Sequence, residues 1–550
     1  MLAGAVAVGA GQLMAGLISP GASPVVAVGQ LQIDFTPPAL KNFAIRAFGS
    51  HDKQVLVGGI LVVLALFAAC LGVLALRRLA YGLAGLGVFA AIGVTAAATR
   101  SAATPAGVLP ALAAAAAAAV ALPTLIRAAA RPGTAQYQAS PAGHPPPPGS
   151  AAPAGPPPGR RRFLIVSGAA AGAAAAGVLA GRALAGRFSV AGAQAALRLP
   201  APAVPVPALP VGADLRIAGL SPFLTSNAAF YRVDTAIVLP QVAPDSWMLR
   251  VHGLVRREIT ISFGQLIRRP LIEDYITICC VSNPVGGPYI GNALWLGASL
   301  ASLLRQAGIR AGADQLLCTS ADGFTSGVPV QAVLDGRDAL LAVAMNRAAL
   351  PVAHGFPVRM VVPGLYGYVS ACKWITDIEV TTYATSTAYW AQRGWDAQAP
   401  IKTESRIDLP ADGSTVPSGR TTAAGVAWAQ HKGIDAVQVR VDRGPWQPAT
   451  LAAVPGIDTW RQWAWPWQAT PGPHLIEARA TDATGYTQTP AQVPPEPNGA
   501  TGYPRRHRHR PLAAQPQPSP IPAHQEASCA PDTDISPGTA PCPPPRSPRP

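Results

Sequence analysis

The sequence predicts a multi-domain chain of three unlike parts: N-terminal transmembrane α-helices, then a mixed α/β domain, then a small β-sandwich. Three observations predict it. Only 13% of the 550 residues are charged while 49% are hydrophobic, with a mean hydropathy of +0.26; a soluble domain is usually about one quarter charged, so part of this chain belongs in a bilayer. Long apolar runs crowd the N-terminal third. From about residue 215 the runs shorten and alternate, which is the patterning of strands.

Four apolar stretches precede residue 130, at Leu2–Ile18, 55–76, 80–98 and 106–126, and a fifth covers 163–179. Each approaches the ~20 residues that a helix needs to cross the hydrocarbon core. The first is short and carries Gln12, so the expected number of spans is five, or four if this one does not cross. Arg77 and Arg78, Arg127 and Arg131, and Arg160, Arg161 and Arg162 flank the runs. Placing all of these in the cytoplasm leaves everything after about 185 outside, giving a multi-pass protein of the cell membrane whose C-terminal half is extracytoplasmic. The parts are then transmembrane helices over 1–130, a Pro/Ala-rich linker over 131–161 with four consecutive prolines from 145 to 148, and a further transmembrane helix over 162–184. Arg160, Arg161, Phe163 and Leu164 fit the twin-arginine export pattern; a cytoplasmic anchor of positive charge accounts for the same residues. The apolar runs hold no histidine and no carboxylate, so they read as an anchor rather than a haem carrier or proton relay.

The mixed α/β domain covers 215–400, with runs such as SWMLRVHGLV and REITISFGQLI. The sandwich covers 401–490, where Val437, Val439 and Val441 alternate with Gln438, Arg440 and Asp442 to give one apolar face. From 491 to 550 the composition collapses into Pro, Ala, Arg and His, and a disordered tail is expected. In particular, PRRHRHR after Tyr503 does not alternate, and Pro504 lacks a ladder donor.

The net charge is +15, but the arginines form no single basic face and several sit at the ends of apolar runs, so nucleic acid is not an expected partner. The seven cysteines are irregularly spaced and contain no CxxC pair, which argues against a zinc site and a disulfide framework. Two of them adjoin, in ITICCVSNPVGGPYIGNALWLG at 276–297. A thiolate is a soft ligand suited to a heavy, high-valent metal. Gly286, Gly287 and Gly291 let backbone approach a bulky ligand. On these residues alone a buried structural cysteine is the better reading.

Two further stretches change that reading: LPVAHGFPVRMVVPGLYGYVSACKWITDIEV at 350–380 and, upstream, SPFLTSNAAFYRVDTAIVLPQVAPDSWMLRVHG. Together with the cysteine strip they resemble the sulfite oxidase family of molybdenum enzymes, most closely its membrane-anchored actinobacterial type, over 215–490. The resemblance implies a molybdopterin-binding domain followed by an immunoglobulin-like domain that often forms homodimers. It implies that Cys280 binds molybdenum and is the catalytic ligand. Cys279, pointing to the opposite face of the strand, is then packing. It further implies cofactor contacts at His354 and Arg359, at Ser370, Ala371, Cys372 and Lys373 in a loop one residue longer than is typical, and at Asn227, Phe230, Tyr231 and Arg232 capping the pterin. Ser320 and Asp322, in CTSADGF, fall where another contact is expected, and Trp295 and Trp374 read as core.

One departure bears on the substrate. Sulfite oxidases follow the cysteine with basic residues that attract an anion, whereas Pro284 and Val285 follow Asn283 here, so sulfite is not implied. The expected function is a membrane-anchored molybdopterin-dependent oxidoreductase. It would transfer an oxygen atom on a small-molecule substrate and exchange electrons with a separate carrier, a quinone or a cytochrome. The main rival is a non-catalytic extracytoplasmic binding or scaffold protein on the same fold. A transporter with a regulatory soluble half sits badly with uncharged membrane runs.

Overall fold

A computed structural model of the chain describes residues 1–37, 40, 43, 47, 52–100, 103–129 and 158–508. The expected linker up to 157 and the tail from 509 lie outside the described residues, as does the Arg160 side chain of the twin-arginine pair.

The N-terminal part is helical: α1 (Leu2–Ile18), α2 (Pro24–Phe35), α3 (Asp52–Arg77), α4 (Leu79–Ala98), α5 (Leu109–Ala129) and α6 (Pro158–Ala185). Four of these are long and apolar enough to cross a bilayer, over Lys53–Arg77, Leu79–Ala98, Pro105–Ala129 and Arg161–Ala196. Their outer faces expose Val62, Val63, Leu66, Val88, Val120 and Ile165, side chains that water would not tolerate in such a band. The 17 residues of α1 fall short of the ~20 a crossing needs. This helix lies along α6 instead. A Cβ on Gly9 would sit 2.7 Å from the Ala174 carbonyl oxygen, and one on Gly16 would sit 2.4 Å from that of Gly181. Small residues are what let two helix backbones approach so closely. Helix α2 was not among the expected elements; its apolar residues pack Ala27 against Ala96 and Ala97 at the end of α4.

Two sheets build the central part. One runs in the order Ile259–Ser262, Met248–Gly253, Ile375–Thr381, Gln315–Ser320 and Thr325–Pro329, with the Met248–Gly253 and Ile375–Thr381 strands parallel. The other runs Leu271–Cys279, Ile290–Ser299, Leu340–Met345 and Ala348–Ala349, and Arg359–Val361 also pairs with Leu340–Met345. Leu340–Met345 is buried at every position, so it reads as a continuous apolar run rather than an alternating one.

The C-terminal part holds two four-stranded antiparallel sheets. Val437, Val439, Ile476, Ala478 and Ala480 of one meet Ile407, Ala423 and Trp463 of the other in a shared core. The expected disordered tail from 491 is corrected over its described portion. Residues Arg505–Arg508 form a strand antiparallel to His474–Asp482, with Arg505 opposite Glu477. The reason is electrostatic. Glu477 is 1% exposed, and it draws Arg440 at 2.7 Å and Arg505 at 2.9 Å onto its two oxygens. A buried carboxylate must be paired, so arginines that look like a solvated tail are edge-strand partners.

Candidate active site

The cysteine strip folds as a hairpin with a wide loop. Leu271–Cys279 pairs with Ile290–Ser299 in unbroken antiparallel register, from Leu271 opposite Ala298 to Cys279 opposite Ile290. The loop closes on itself: the Cys280 amide donates to the Tyr289 carbonyl (2.9 Å) and the Tyr289 amide donates to Asn283 Oδ1 (2.8 Å). From the C-terminal sheets, Arg406 donates to the Gly287 carbonyl (3.2 Å) and so pins the loop from outside. Alternation along the strand separates the two thiols. Cys279 is fully buried in the main core, while Cys280 opens on a cavity of about 800 Å³.

The glycines of this strip serve its own packing. A Cβ on Gly287 would lie 2.6 Å from Asn283 Oδ1, and one on Gly291 would lie 2.7 Å from the Phe230 ring. Gly286 adopts a φ of 70°, the left-handed region that a side chain disfavours.

Phe230, Tyr231, Arg232, Ser320, Asp322, His354, Arg359, Ala371 and Lys373 line the cavity with Cys280. Phe230 stacks on Tyr231 (5.3 Å between centroids) and meets His354 edge-on (5.6 Å). Arg359 is 4% exposed and lies over the Trp295 ring at 5.0 Å. It donates to the carbonyls of His354 (3.2 Å) and Ala371 (3.3 Å), yet its Nε has no partner and, among the described residues, no carboxylate pairs with it. Burial pulls its pKa down to about 10. Burial, then the charges of Arg359 and Lys373, push His354 down to about 3, so its ring is neutral at physiological pH. Lys373 donates to Asp234 (2.9 Å) and to the Ala353 carbonyl (3.3 Å); burial lowers it to about 8 and Asp234 opposes that shift.

Asn227, Ser370 and Cys372, expected as contacts, stand behind this lining rather than in it. Asn227 donates to the Met345 carbonyl (3.2 Å) and accepts from Asn346 (2.8 Å), fixing the turn that carries Phe230 and Tyr231. The Ser370 hydroxyl is spent on the Leu365 carbonyl (2.9 Å) at the end of its short helix. The Cys372 thiol is packed in the main core, and burial drives its pKa to about 12. Trp374 moves the other way. It is only 1% exposed, as a core residue should be, but it lines the cavity while its indole donates to the Val352 carbonyl (3.0 Å). Trp295 is core, as expected from the sequence.

Sequence reasoning missed several lining residues. Tyr289, Tyr368 and Asp234 lie in quoted stretches without being singled out, and Trp390 and Trp395 lie in no quoted motif. Glu496, in the segment read as tail, also reaches the cavity and leaves Oε1 unpartnered. Gln32, Ile33, Thr36, Leu40, Lys53 and Leu56 come from the part read as a plain anchor. No local pattern announces them, because they reach the cavity only through the packing of the two halves.

The chain shares 31% identity over 326 residues with the sulfite oxidase of Gallus gallus, covering 50% of this chain and 69% of that one. The chain belongs to the sulfite oxidase family. A family model described as an oxidoreductase molybdopterin binding domain matches residues 236–390, which hold both central sheets and half of the residues that line the cavity. The mitochondrial sulfite oxidase of Rattus norvegicus is 28% identical over 289 residues, 45% of this chain and 52% of that one. The uncharacterized oxidoreductase YuiH of Bacillus subtilis is 32% identical over 149 residues, 27% of this chain and 72% of that one. This sulfite oxidase family member thus spans about half the length of the rat protein.

The residues present fit the group that the family binds. The cavity has room for a pterin beside a thiol, aromatic faces at Phe230, Tyr231 and Trp374, and a buried guanidinium with an unpartnered Nε. An isolated buried cation is costly unless an anion joins it.

Proposed function

We propose that this protein is a membrane-anchored molybdopterin-dependent oxidoreductase. The observation that carries the reading is one cavity in which the Cys280 thiol and the unpaired, buried Arg359 guanidinium share a wall system. Cys280 is the molybdenum ligand in this reading. Arg359, Lys373 and Arg232 hold the anionic parts of the pterin cofactor, since planar guanidinium forks match phosphate oxygens. Phe230, Tyr231, His354 and Ala371 pack against it, and Ser320 and Asp322 flank it. Asn227, Ser370 and Cys372 shape the loops that present these groups. When bound, the cofactor supplies the oxygen-atom transfer and two-electron chemistry; the protein supplies position, electrostatics and exclusion of water. His354, neutral and held against Phe230, offers a ring nitrogen without adding charge.

The same reading assigns the parts of the chain. Helices within 1–130 and 162–184 span the cell membrane, with arginines Arg77, Arg78, Arg127 and Arg161 on the cytoplasmic side and the cavity on the opposite side. Residues 215–400 form the molybdopterin domain. The two C-terminal sheets form an immunoglobulin-like sandwich, extended to 508 by the strand that Glu477 holds, and this sandwich is a candidate homodimer surface. The substrate is a small molecule, and electrons pass to a separate quinone or cytochrome.

Metal analysis of the full-length protein purified in detergent tests this directly. Wild type is expected to carry close to one molybdenum per chain and to release pterin fluorescence on denaturation. Cys280→Ser is expected to lose most of the activity and to weaken metal retention. Metal-free, pterin-free wild type would replace this reading with the scaffold alternative.

A further inference from the structure

We propose that the N-terminal membrane segment forms one wall of the cavity, and that Lys53 is a positioning residue latching that wall to Asp234. This rests on reading the cavity as the cofactor and substrate site. The wall consists of Gln32, Ile33, Thr36, Leu40, Lys53 and Leu56. Across from it, Asp234 is a hub. It accepts from Lys53, from Arg232 (2.9 Å) and from Lys373 (2.9 Å), and its side chain is 6% exposed. Burial alone would raise its pKa, but Lys373, Lys53 and Arg232 outweigh burial and hold it well below the usual carboxylate range.

Lys53 is an unfavourable residue where it stands. It sits in the first turn of α3, at the positive end of a helix dipole, where a cation is disfavoured. A rule broken locally needs a tertiary compensation, and Asp234 is that compensation. A further contact ties the same halves together. Gly29 of α2 lies against Ile237 and Ile60, leaving its absent Cβ 2.9 Å from Ile237 Cδ1. A cation of the membrane half therefore meets a carboxylate of the site-bearing half. Through Asp234, Lys53 also helps set the ammonium of Lys373 and the guanidinium of Arg232 within the cavity.

The test uses the full-length protein, produced without molybdate and purified in detergent, so that Cys280 is free. N-ethylmaleimide labelling of each cysteine is followed by peptide mass spectrometry. Lys53→Gln is expected to label Cys280 about tenfold faster than wild type, because losing one partner of a buried ion pair favours local opening. Lys53→Arg, which keeps the cation, should restore the wild-type rate. Gly29→Trp, which wedges α2 away from Ile237 without touching any charge, should also accelerate Cys280. Buried Cys318 serves as the internal control and should not change. Wild-type labelling of Cys280 in both Lys53→Gln and Gly29→Trp overturns the proposal, as does acceleration that extends equally to Cys318. A molybdenum-free wild type would defeat the cofactor reading and leave this labelling result as it stands.

Discussion

Two walls of one cavity are held in opposite ways. The wall that carries Cys280 is a hairpin with a full ladder of backbone hydrogen bonds, closed by Asn283 and pinned by Arg406 from the C-terminal sheets. The wall facing it comes from Gln32, Ile33, Thr36, Leu40, Lys53 and Leu56, and among the described residues it is tied to the site by the Lys53–Asp234 pair and by apolar packing at Gly29. The first wall is over-determined: removing any one bond leaves the rest in register. The second has no such ladder among the described residues: helix packing and one ion pair tie it to the site. Chemistry that needs a sulfur fixed to within fractions of an ångström belongs on the first.

Breaking the rigid wall's charge partner should give the largest effect. Arg359→Met removes a buried cation that, among the described residues, has no carboxylate partner and leaves its Nε unbonded. The metal-free protein should keep or gain thermal stability, because the desolvation cost disappears. Molybdenum content of the purified protein should fall by about tenfold, since the guanidinium that would hold an anionic group of the cofactor is gone. A stability loss with unchanged metal would mean that Arg359 is only structural. Next in size is Gly291→Val, which drives a side chain into the Phe230 ring. Overpacking of this kind costs about 1–3 kcal/mol, and the thermal midpoint should drop by about 5 °C. An unchanged midpoint, read by circular dichroism, would show that the hairpin wall is softer than its hydrogen bonds suggest.

The smallest expected effect lies where the hairpin meets the C-terminal sheets. Glu404 is 3% exposed, its Oε1 has no partner, and burial raises its pKa from the ordinary 4.5 to about 8. The folded state thus keeps a proton that the unfolded chain releases above 4.5. Its contribution to stability is full below 4.5 and is lost as pH rises through 8. Glu404→Gln should flatten the fall in thermal midpoint between pH 5 and 8 by a few degrees. An identical pH profile in both proteins would remove Glu404 from the account.

Legibility in the sequence followed the range of the interactions. The long apolar runs were readable because crossing a bilayer demands length and composition, both local properties. The hairpin was readable for the same reason: alternation alone puts Cys279 and Cys280 on opposite faces. Ser370 and Cys372 share a short stretch with cavity-lining Ala371 and Lys373, and the sequence could not tell which of these neighbours would face inward. That depended on a four-residue helix, Gly367–Ser370, turning its hydroxyl to its own backbone. Arg505 looked like part of a solvated tail because its partner, Glu477, lies a whole strand away.

By itself, the sequence determined the division into apolar helices and sheet-forming halves, and it marked the cysteine on which the proposed chemistry depends. Only the tertiary structure decided that a lysine at the head of a long apolar helix belongs to the same cavity as that cysteine. The physical reason is that periodicity and composition act over a few residues. A buried carboxylate such as Asp234 instead selects its cations by proximity in space, from Lys53, Arg232 and Lys373, whatever their separation along the chain.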